Sequence, residues 1–380
     1  MIYLDNAATT GQKPTAVYNA INEAMMNLSV NAGRGSYTSA RKATAIIDEC
    51  RNRVLQLANI RSDYHVYFSP SATVALNQLI QGLACDPYST IYVSPFEHNA
   101  VMRPVYALTQ KTGCNYAVLP FDRATWQFDV EKAESMFLSR KPSFVLISMV
   151  SNTTGFILPV STIVELAHKH GAKVIVDCAQ AFGAIATDYR MLDADAYVFA
   201  GHKTLYGPFG IAGIILSDRW QIEPSLYGGT GSDSLNLRMP APIDGGYEPG
   251  SPNIPAICGL NSALQWLEAT GVSSIAAHEQ ALLQRLVNGL SNHPRIQMYQ
   301  PPQTQHSGIL AFNVQDYQSH DVGEILDDEF DIAVRTGYQC APLVHDWLGT
   351  KSFGGIVRAS VSYFNSESDI GSLIQAINSL

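Results

Sequence analysis

The sequence is short of several features that would fix its class at once. It carries six cysteines, Cys50, Cys85, Cys114, Cys178, Cys258 and Cys340, and no two stand in a CxxC pair. That scatter suggests neither a disulfide framework nor a zinc site, and in a reducing compartment most of these should be buried thiols. Charged residues make up only 15% of the chain, the net charge is −9, and lysine and arginine form no block. Nucleic acid and anionic membrane are therefore poor candidate partners. The first residues show no basic stretch followed by a long apolar run, and no membrane span is found, so a cytoplasmic protein is expected. Internal repeats and low-complexity segments are missing as well. No GxGxxG follows an early strand, which disfavours a dinucleotide-binding dehydrogenase.

What is present is apolar and periodic. The chain is 46% hydrophobic over 380 residues, enough for a sizeable core, with one large domain and a smaller one expected. Short apolar runs alternate with helical patterns. "HVYF" precedes "TVALNQLIQGL", "TIYVSP" precedes "EHNAVMRPVYAL", and "SFVLISMV" precedes "PVSTIVELAHKHG"; "KVIVD", "AYVFA" and "IAGIIL" follow. Continuous apolar strands between amphipathic helices predict an α/β fold with a mainly parallel sheet. From about Tyr227 to Pro255 the chain is rich in Gly, Pro, Asn and Ser, which reads as a long loop or domain junction. A helical stretch, "IPAICGLNSALQWLEAT", comes next, and the remainder reads as a smaller α+β domain.

In such sheets, ligand groups gather on the loops beyond the carboxyl ends of the strands. Those loops carry Ser71-Ala72-Thr73, Glu97-His98-Asn99, Ser151-Asn152, Asp177 with Gln180, and Gly201-His202-Lys203. Each has a plain reading. Ser71 and Thr73 serve as helix N-caps, Asp177 as another cap, His98 as a surface or core histidine, and His168 and His170 as solvated residues near a helix end. The combination says more. A helix N-terminus attracts phosphate, a carboxylate ends a buried strand, and a lysine sits on a neighbouring turn. Pyridoxal phosphate requires those three: an amine for its aldehyde, a carboxylate for its ring nitrogen and donors for its phosphate. The reading depends on the strands being neighbours.

The segments "YLDNAATT", "SPFEHNAVMRP", "SNTTGFILPV", "VDCAQAFG", "GHKTLYGPFG", "YGGTGS", "YEPGSPNIPAICGL", "VRTGYQCAPLVHDWLGT" and "VRASVSYFN" occur in this order over nearly the whole chain. In that order they resemble the class V, fold-type I pyridoxal-phosphate enzymes of the cysteine desulfurase and selenocysteine lyase group. The resemblance implies a mainly parallel, seven-stranded type of sheet in a large domain, residues 16–252. Residues 1–15 and 253–380 would form the small α+β domain. It implies that Lys203 bonds the cofactor aldehyde and that Ala72, Thr73 and His202 meet its phosphate. His98 would stack on the ring and move protons, Asp177 pair with the ring nitrogen, and Gln180 and Asn152 reach the ring hydroxyl. Arg358 would clamp the substrate carboxylate with Arg335 nearby, and Cys340 accept sulfur. The implied activity converts L-cysteine to L-alanine with a persulfide on Cys340; the alternatives are a selenocysteine lyase and another class V aminotransferase or β-eliminating enzyme. A homodimer with shared sites is implied, in which the region of Thr230 and Ser251 reaches the neighbouring subunit's phosphate, and so is a sulfur-acceptor protein. Four positions depart from the pattern. Ala200 stands where a hydroxyl residue is frequent, Tyr37 where a histidine is, and Tyr338 and Gln339 where histidines often precede the cysteine.

Overall fold

The computed structural model describes residues 1–380 except 33–34, 61–62, 233, 242–244 and 301–305. Its strands, in chain order, are β1 (Ile2–Tyr3), β2 (Tyr64–Ser69), β3 (Thr90–Val93), β4 (Asn115–Val118), β5 (Phe144–Ser148), β6 (Lys173–Asp177), β7 (Ala196–Ala200), β8 (Ala212–Ser217), β9 (Ile296–Tyr299), β10 (Ile309–Val314), β11 (Ile332–Ala333), β12 (Arg335–Gly337) and β13 (Ile356–Ser360). Seven form one sheet in the order β2-β8-β7-β6-β5-β3-β4. Strands β3 to β7 are mutually parallel, whereas β8 runs antiparallel to both β2 and β7.

The reversal at β8 has a simple cause. A parallel return needs a crossover of a dozen or more residues, usually a helix. Only residues 201–211 join β7 to β8, and they form turns, so the chain comes back antiparallel. His202 and Lys203 ride on that return. Two glycines make it tight: Gly207 N–H donates to the Gly201 carbonyl at 2.8 Å, and Gly201 N–H to that of Ile211 at 3.0 Å. A Cβ on Gly201 would lie 2.7 Å from the Ile211 carbonyl oxygen.

Every residue of β5, β7 and β8 is buried, so these strands show no polar alternation. Their side chains still alternate between two layers. Val145, Ile147, Val174 and Val176 pack with helices Thr15–Asn27, Thr38–Leu57, Val160–Lys169 and Ile254–Thr270. Phe144, Leu146 and Ile175 pack with helices Ala72–Gln81 and Asn99–Thr112. Strand β4 was not expected; it is a partly exposed edge whose "NYAV" carries too little apolar character to stand out. A second, antiparallel sheet, β12-β13-β10-β9, is covered by helices Val272–Leu290, Ser319–Phe330 and Glu367–Asn378, and β1 pairs with β11 beside it.

The reading of His168 and His170 as solvated is corrected. His168 Nε2 lies 2.9 Å from Oδ2 of buried Asp195, and His170 packs edge-on against Phe137 with ring centroids 5.5 Å apart. Both sit where the helix after β5 meets the main core, which hydropathy at a helix end does not reveal. Among the described residues, no helix is long and apolar enough to cross a membrane.

Candidate active site

A cavity of about 290 Å³ opens where the ends of β5, β6 and β7 meet the second sheet. Ala72, Thr73, His98, Asn152, Asp177, Gln180, Ala200, His202, Lys203, Arg335, Cys340 and Arg358 all line it. Its volume is at the small end of the range for ligand pockets. The adjacency that the strand-end argument needed is present: Ser148 of β5 pairs in register with Asp177 of β6, which pairs with Val198 of β7.

Helix Ala72–Gln81 points its N-terminus at the cavity. Ser71 caps it, its Oγ accepting from Val74 N–H at 3.2 Å, which leaves the Ala72 and Thr73 N–H groups without an acceptor among the described residues. His98 caps helix Asn99–Thr112 through Nδ1, which accepts from Ala100 N–H at 2.9 Å. Burial, with Lys203, Arg358 and Arg103 nearby, holds its pKa down to about 4. The ring is therefore neutral, with its proton on Nε2.

Asp177 Oδ1 accepts from Ala179 N–H at 2.9 Å. Burial raises its pKa, while that hydrogen bond and Lys203 oppose the rise. Lys203 makes no side-chain hydrogen bond among the described residues. Burial lowers the pKa of its amine; Asp177 opposes that and Arg358 adds to it. The backbone under this lysine is gripped by the N-terminal segment. Thr10 Oγ1 donates to the Lys203 carbonyl at 2.7 Å, and the His202 carbonyl accepts from Thr9 Oγ1 at 3.0 Å and Lys13 Nζ at 2.9 Å. Lys13 is buried with no counter-ion among the described residues, and desolvation brings it down to about 8. Sequence reasoning passed over it because a lysine beside "ATTGQ" carries no local signal.

Gln180 and Asn152 are less free than the resemblance implied. Gln180 Nε2 donates to the Ala7 carbonyl at 2.7 Å, and Asn152 Nδ2 to that of Gln339 at 2.7 Å, so each offers the cavity its amide oxygen. Arg358 is only 3% exposed, with Nη2 on Asp5 Oδ1 at 2.6 Å and Nη1 on the Asn152 carbonyl at 2.8 Å. Its Nε is buried with no partner among the described residues. Arg335 is exposed and has no ion-pair partner among the described residues.

Cys340 is the exposed one of the six thiols; Cys50, Cys114 and Cys178 are buried, and all six are free. It sits in a tight turn with φ of 56°, after Gln339 at 49°. Left-handed backbone costs a non-glycine residue about 1–2 kcal/mol, so this turn needs support. Among the departures from the family pattern, Ala200 lines the cavity without a hydroxyl, Tyr37 and Tyr338 are exposed, and Gln339 is buried with no partner for Oε1 among the described residues. Arg34, the arginine of the early Arg-Gly near Tyr37, lies outside the described residues.

Ser251 is not at this cavity. It and Thr230 line a neighbouring one of about 640 Å³ with Arg51, Ser69 and Glu248. Glu97, placed at a strand end by the sequence but given no role there, is fully buried. Its Oε1 accepts from Ser148 N–H at 2.7 Å and Ser94 Oγ at 2.5 Å, and its Oε2 lies 2.8 Å from Ser148 Oγ. Burial pushes its pKa up to about 8, the two serines oppose this, and Asp177 adds to it.

The donor set suits an anionic, ring-bearing cofactor with an aldehyde. Free helix N–H groups, a buried His202 Nδ1 without a partner among the described residues, an amine, a buried carboxylate and an Arg358 Nε likewise unpartnered belong to residues that line the one cavity.

A mostly parallel, seven-stranded sheet between helices, with a smaller antiparallel sheet closing a lysine-bearing cavity at the strand ends, defines a fold-type I α/β enzyme. Residues 2–373 match the family described as aminotransferase class-V, and the chain belongs to it. It is 32% identical over 391 residues to a cysteine desulfurase of Dickeya dadantii, covering 100% of this chain and 91% of the relative. Against a cysteine desulfurase of Escherichia coli it is 32% identical over 388 residues, with 99% and 92% covered. Among solved structures it is similar to the apo cysteine desulfurase of Thermococcus onnurineus, with a TM-score of 0.91 at 29% identity, covering 100% of this chain and 94% of that one. The cysteine desulfurase CsdA of Escherichia coli, solved as the S-sulfonic acid, gives 0.87 at 28%, with the same coverage of 100% and 94%.

Proposed function

We propose that the protein is a pyridoxal-phosphate-dependent cysteine desulfurase. L-cysteine and the Cys340 thiol would give L-alanine and a Cys340 persulfide: the substrate C–S bond breaks, an S–S bond forms, and a proton returns to carbon. The observation that carries this reading is the opening of Lys203, Asp177, Arg358 and Cys340 onto one cavity. The names of the relatives support it.

Lys203 would bond the cofactor aldehyde, Ala72 and Thr73 N–H and His202 would hold its phosphate, and the oxygens of Asn152 and Gln180 are left to meet its ring hydroxyl. When bound, the cofactor would draw electron density from the substrate carbons. Asp177 would hold a proton on the ring nitrogen. The lowered pKa of Lys203 fits its amine to take and return a proton at the substrate Cα. Neutral His98 could donate from Nε2. Arg358, anchored by Asp5, would receive the substrate carboxylate with Arg335 beside it. Cys340 Sγ would attack the substrate sulfur, and as thiolate it is the competent nucleophile. A sulfur-acceptor protein would then collect the persulfide at the exposed turn. We extend the reading to a homodimer in which Ser251 and Thr230 face the partner's cavity, since both lie away from their own.

The test is to expose the yellow protein to L-cysteine and, separately, to L-selenocysteine, then to identify the products. Alanine and one added sulfur on the Cys340 peptide are expected, with both lost in Cys340→Ser and the colour lost after dialysis in Lys203→Ala. Full activity of Cys340→Ser with an unmodified peptide would defeat the reading.

A further inference from the structure

Residues Tyr338 to Ala341 form a turn closed by Ala341 N–H donating to the Tyr338 carbonyl at 3.0 Å. Positive φ at both inner positions belongs to the mirror-image turn that glycine, asparagine and aspartate favour. Here the inner residues are Gln339 and Cys340. Such backbone persists only where its surroundings over-determine it. The surroundings are identifiable, because all three carbonyls of residues 338–340 accept hydrogen bonds from outside the turn. His345 Nε2 meets that of Tyr338 at 2.9 Å, Asn152 Nδ2 that of Gln339 at 2.7 Å, and Asn99 N–H that of Cys340 at 2.7 Å.

Asn152 lines the cavity and Asn99 follows His98, so two of the three supports belong to the site already described. His345 does not. It lies in the short helix Val344–Leu348, is 1% exposed and does not line the cavity. The hydrogen-bond partners of its ring among the described residues are the Tyr338 carbonyl and Thr350 Oγ1, the latter at 2.7 Å from Nδ1. A carbonyl only accepts, so Nε2 carries the proton. Burial lowers the pKa of the ring, so it is neutral, and Nδ1 accepts from the Thr350 hydroxyl. Thr350 thereby selects the tautomer that can hold the turn.

We propose that His345 is a positioning residue for sulfur transfer: it holds the Tyr338–Ala341 turn in its left-handed form and so keeps Cys340 Sγ on the cavity, with Thr350 fixing its tautomer. This rests on the reading of Cys340 as the sulfur acceptor. His345 touches neither substrate nor cofactor, so its removal should leave cofactor retention and the KM for L-cysteine near wild type.

The experiment is a double-mutant cycle on the holoenzyme. The rate of sulfur appearance on the Cys340 peptide after mixing with L-cysteine is followed by mass spectrometry in wild type, His345→Ala, Gln339→Asn and the double variant. Loss of one buried hydrogen bond predicts a drop of about tenfold in His345→Ala, with the yellow colour kept. Asparagine tolerates left-handed φ, so in the Gln339→Asn background the same change should cost about threefold or less. A purely structural role of His345 in its helix would cost the same in both backgrounds, and that result, or no loss at all, overturns the proposal. Thr350→Val, a near-isosteric change, repeats the cycle should His345→Ala fail to fold; a smaller loss that shrinks again beside Gln339→Asn is expected, and an unchanged rate counts against the clamp. Cys340→Ser is run alongside: if it releases alanine at full rate, the sulfur-acceptor reading fails and the clamp with it, whereas an inactive Cys340→Ser beside a normal His345→Ala refutes the clamp alone.

Discussion

Replacing Glu97 with glutamine tests whether the cavity floor rests on a protonated acid. Glu97 is fully buried, and its pKa of about 8 means that it holds its proton at neutral pH. Below pH 4.5 the group is neutral in both the folded and unfolded chains, and its contribution to stability is complete. Between pH 4.5 and about 8 the unfolded carboxyl releases its proton while the folded one keeps it, so stability falls as pH rises. At about 1.36 kcal/mol per pH unit the gap sets a ceiling of about 5 kcal/mol, and a few kcal/mol is the expected size. Glutamine has no proton to release. Its carbonyl can accept from Ser148 N–H and Ser94 Oγ, and its amide can donate to Ser148 Oγ, which keeps the hydrogen-bond count. His98, His202 and His306, each held near 4 by burial, act in the opposite sense between about pH 4 and 6.5. Only the difference between variant and wild type therefore isolates Glu97. The assay is denaturant unfolding with saturating cofactor at several pH values. Glu97→Gln should match wild type within about 1 kcal/mol near pH 5 and exceed it by a few kcal/mol near pH 8. Parallel curves, or a variant weakened by several kcal/mol at every pH, would show that Glu97 is ionised in the fold.

Two further outcomes are expected. Lys13→Met removes donors from the Thr10 carbonyl at 2.5 Å and the His202 carbonyl at 2.9 Å, and should loosen cofactor retention. Its unfolded form binds more protons between about pH 8 and 10.5, so wild-type stability should gain on the variant across that window by up to about 3 kcal/mol; a thermal-melting difference that is flat with pH would contradict the buried charge. The proposed dimer predicts a two-subunit mass by sedimentation and weaker cofactor binding in Ser251→Ala; a monomer at micromolar concentration would reject it.

Much of the large sheet could be read directly because its strands are buried on both faces and appear as unbroken apolar runs. Runs of that kind also fix where each strand stops, so Glu97-His98-Asn99, Asn152, Asp177 and Lys203 could be assigned to one edge. The direction of β8 was not read, although the shortness of residues 201–211 contains it. The edge strand β4 escaped because exposure removes the apolar signal. Side-chain partners that meet only in the fold have no periodicity to betray them. Asp5 on Arg358 and Lys13 on His202 join distant parts of the chain, and even the nearer pairs, His345 with the Tyr338 carbonyl and His168 with Asp195, follow no helical or strand spacing.

The ion pair between Asp5 and Arg358 spans 353 residues of chain. Strands β2 to β8 are complete once Ser217 has been made, but the wall bearing Arg335, Gln339, Cys340 and Arg358 is not. On the ribosome, which delivers the amino end first, the segment that grips the lysine turn must wait for nearly the whole chain before Asp5 meets its arginine. For much of that interval Lys203 lacks the opposite wall of its cavity. Completion of the cavity is thus a late event in folding, set by the arrival of β13, the last strand of the second sheet.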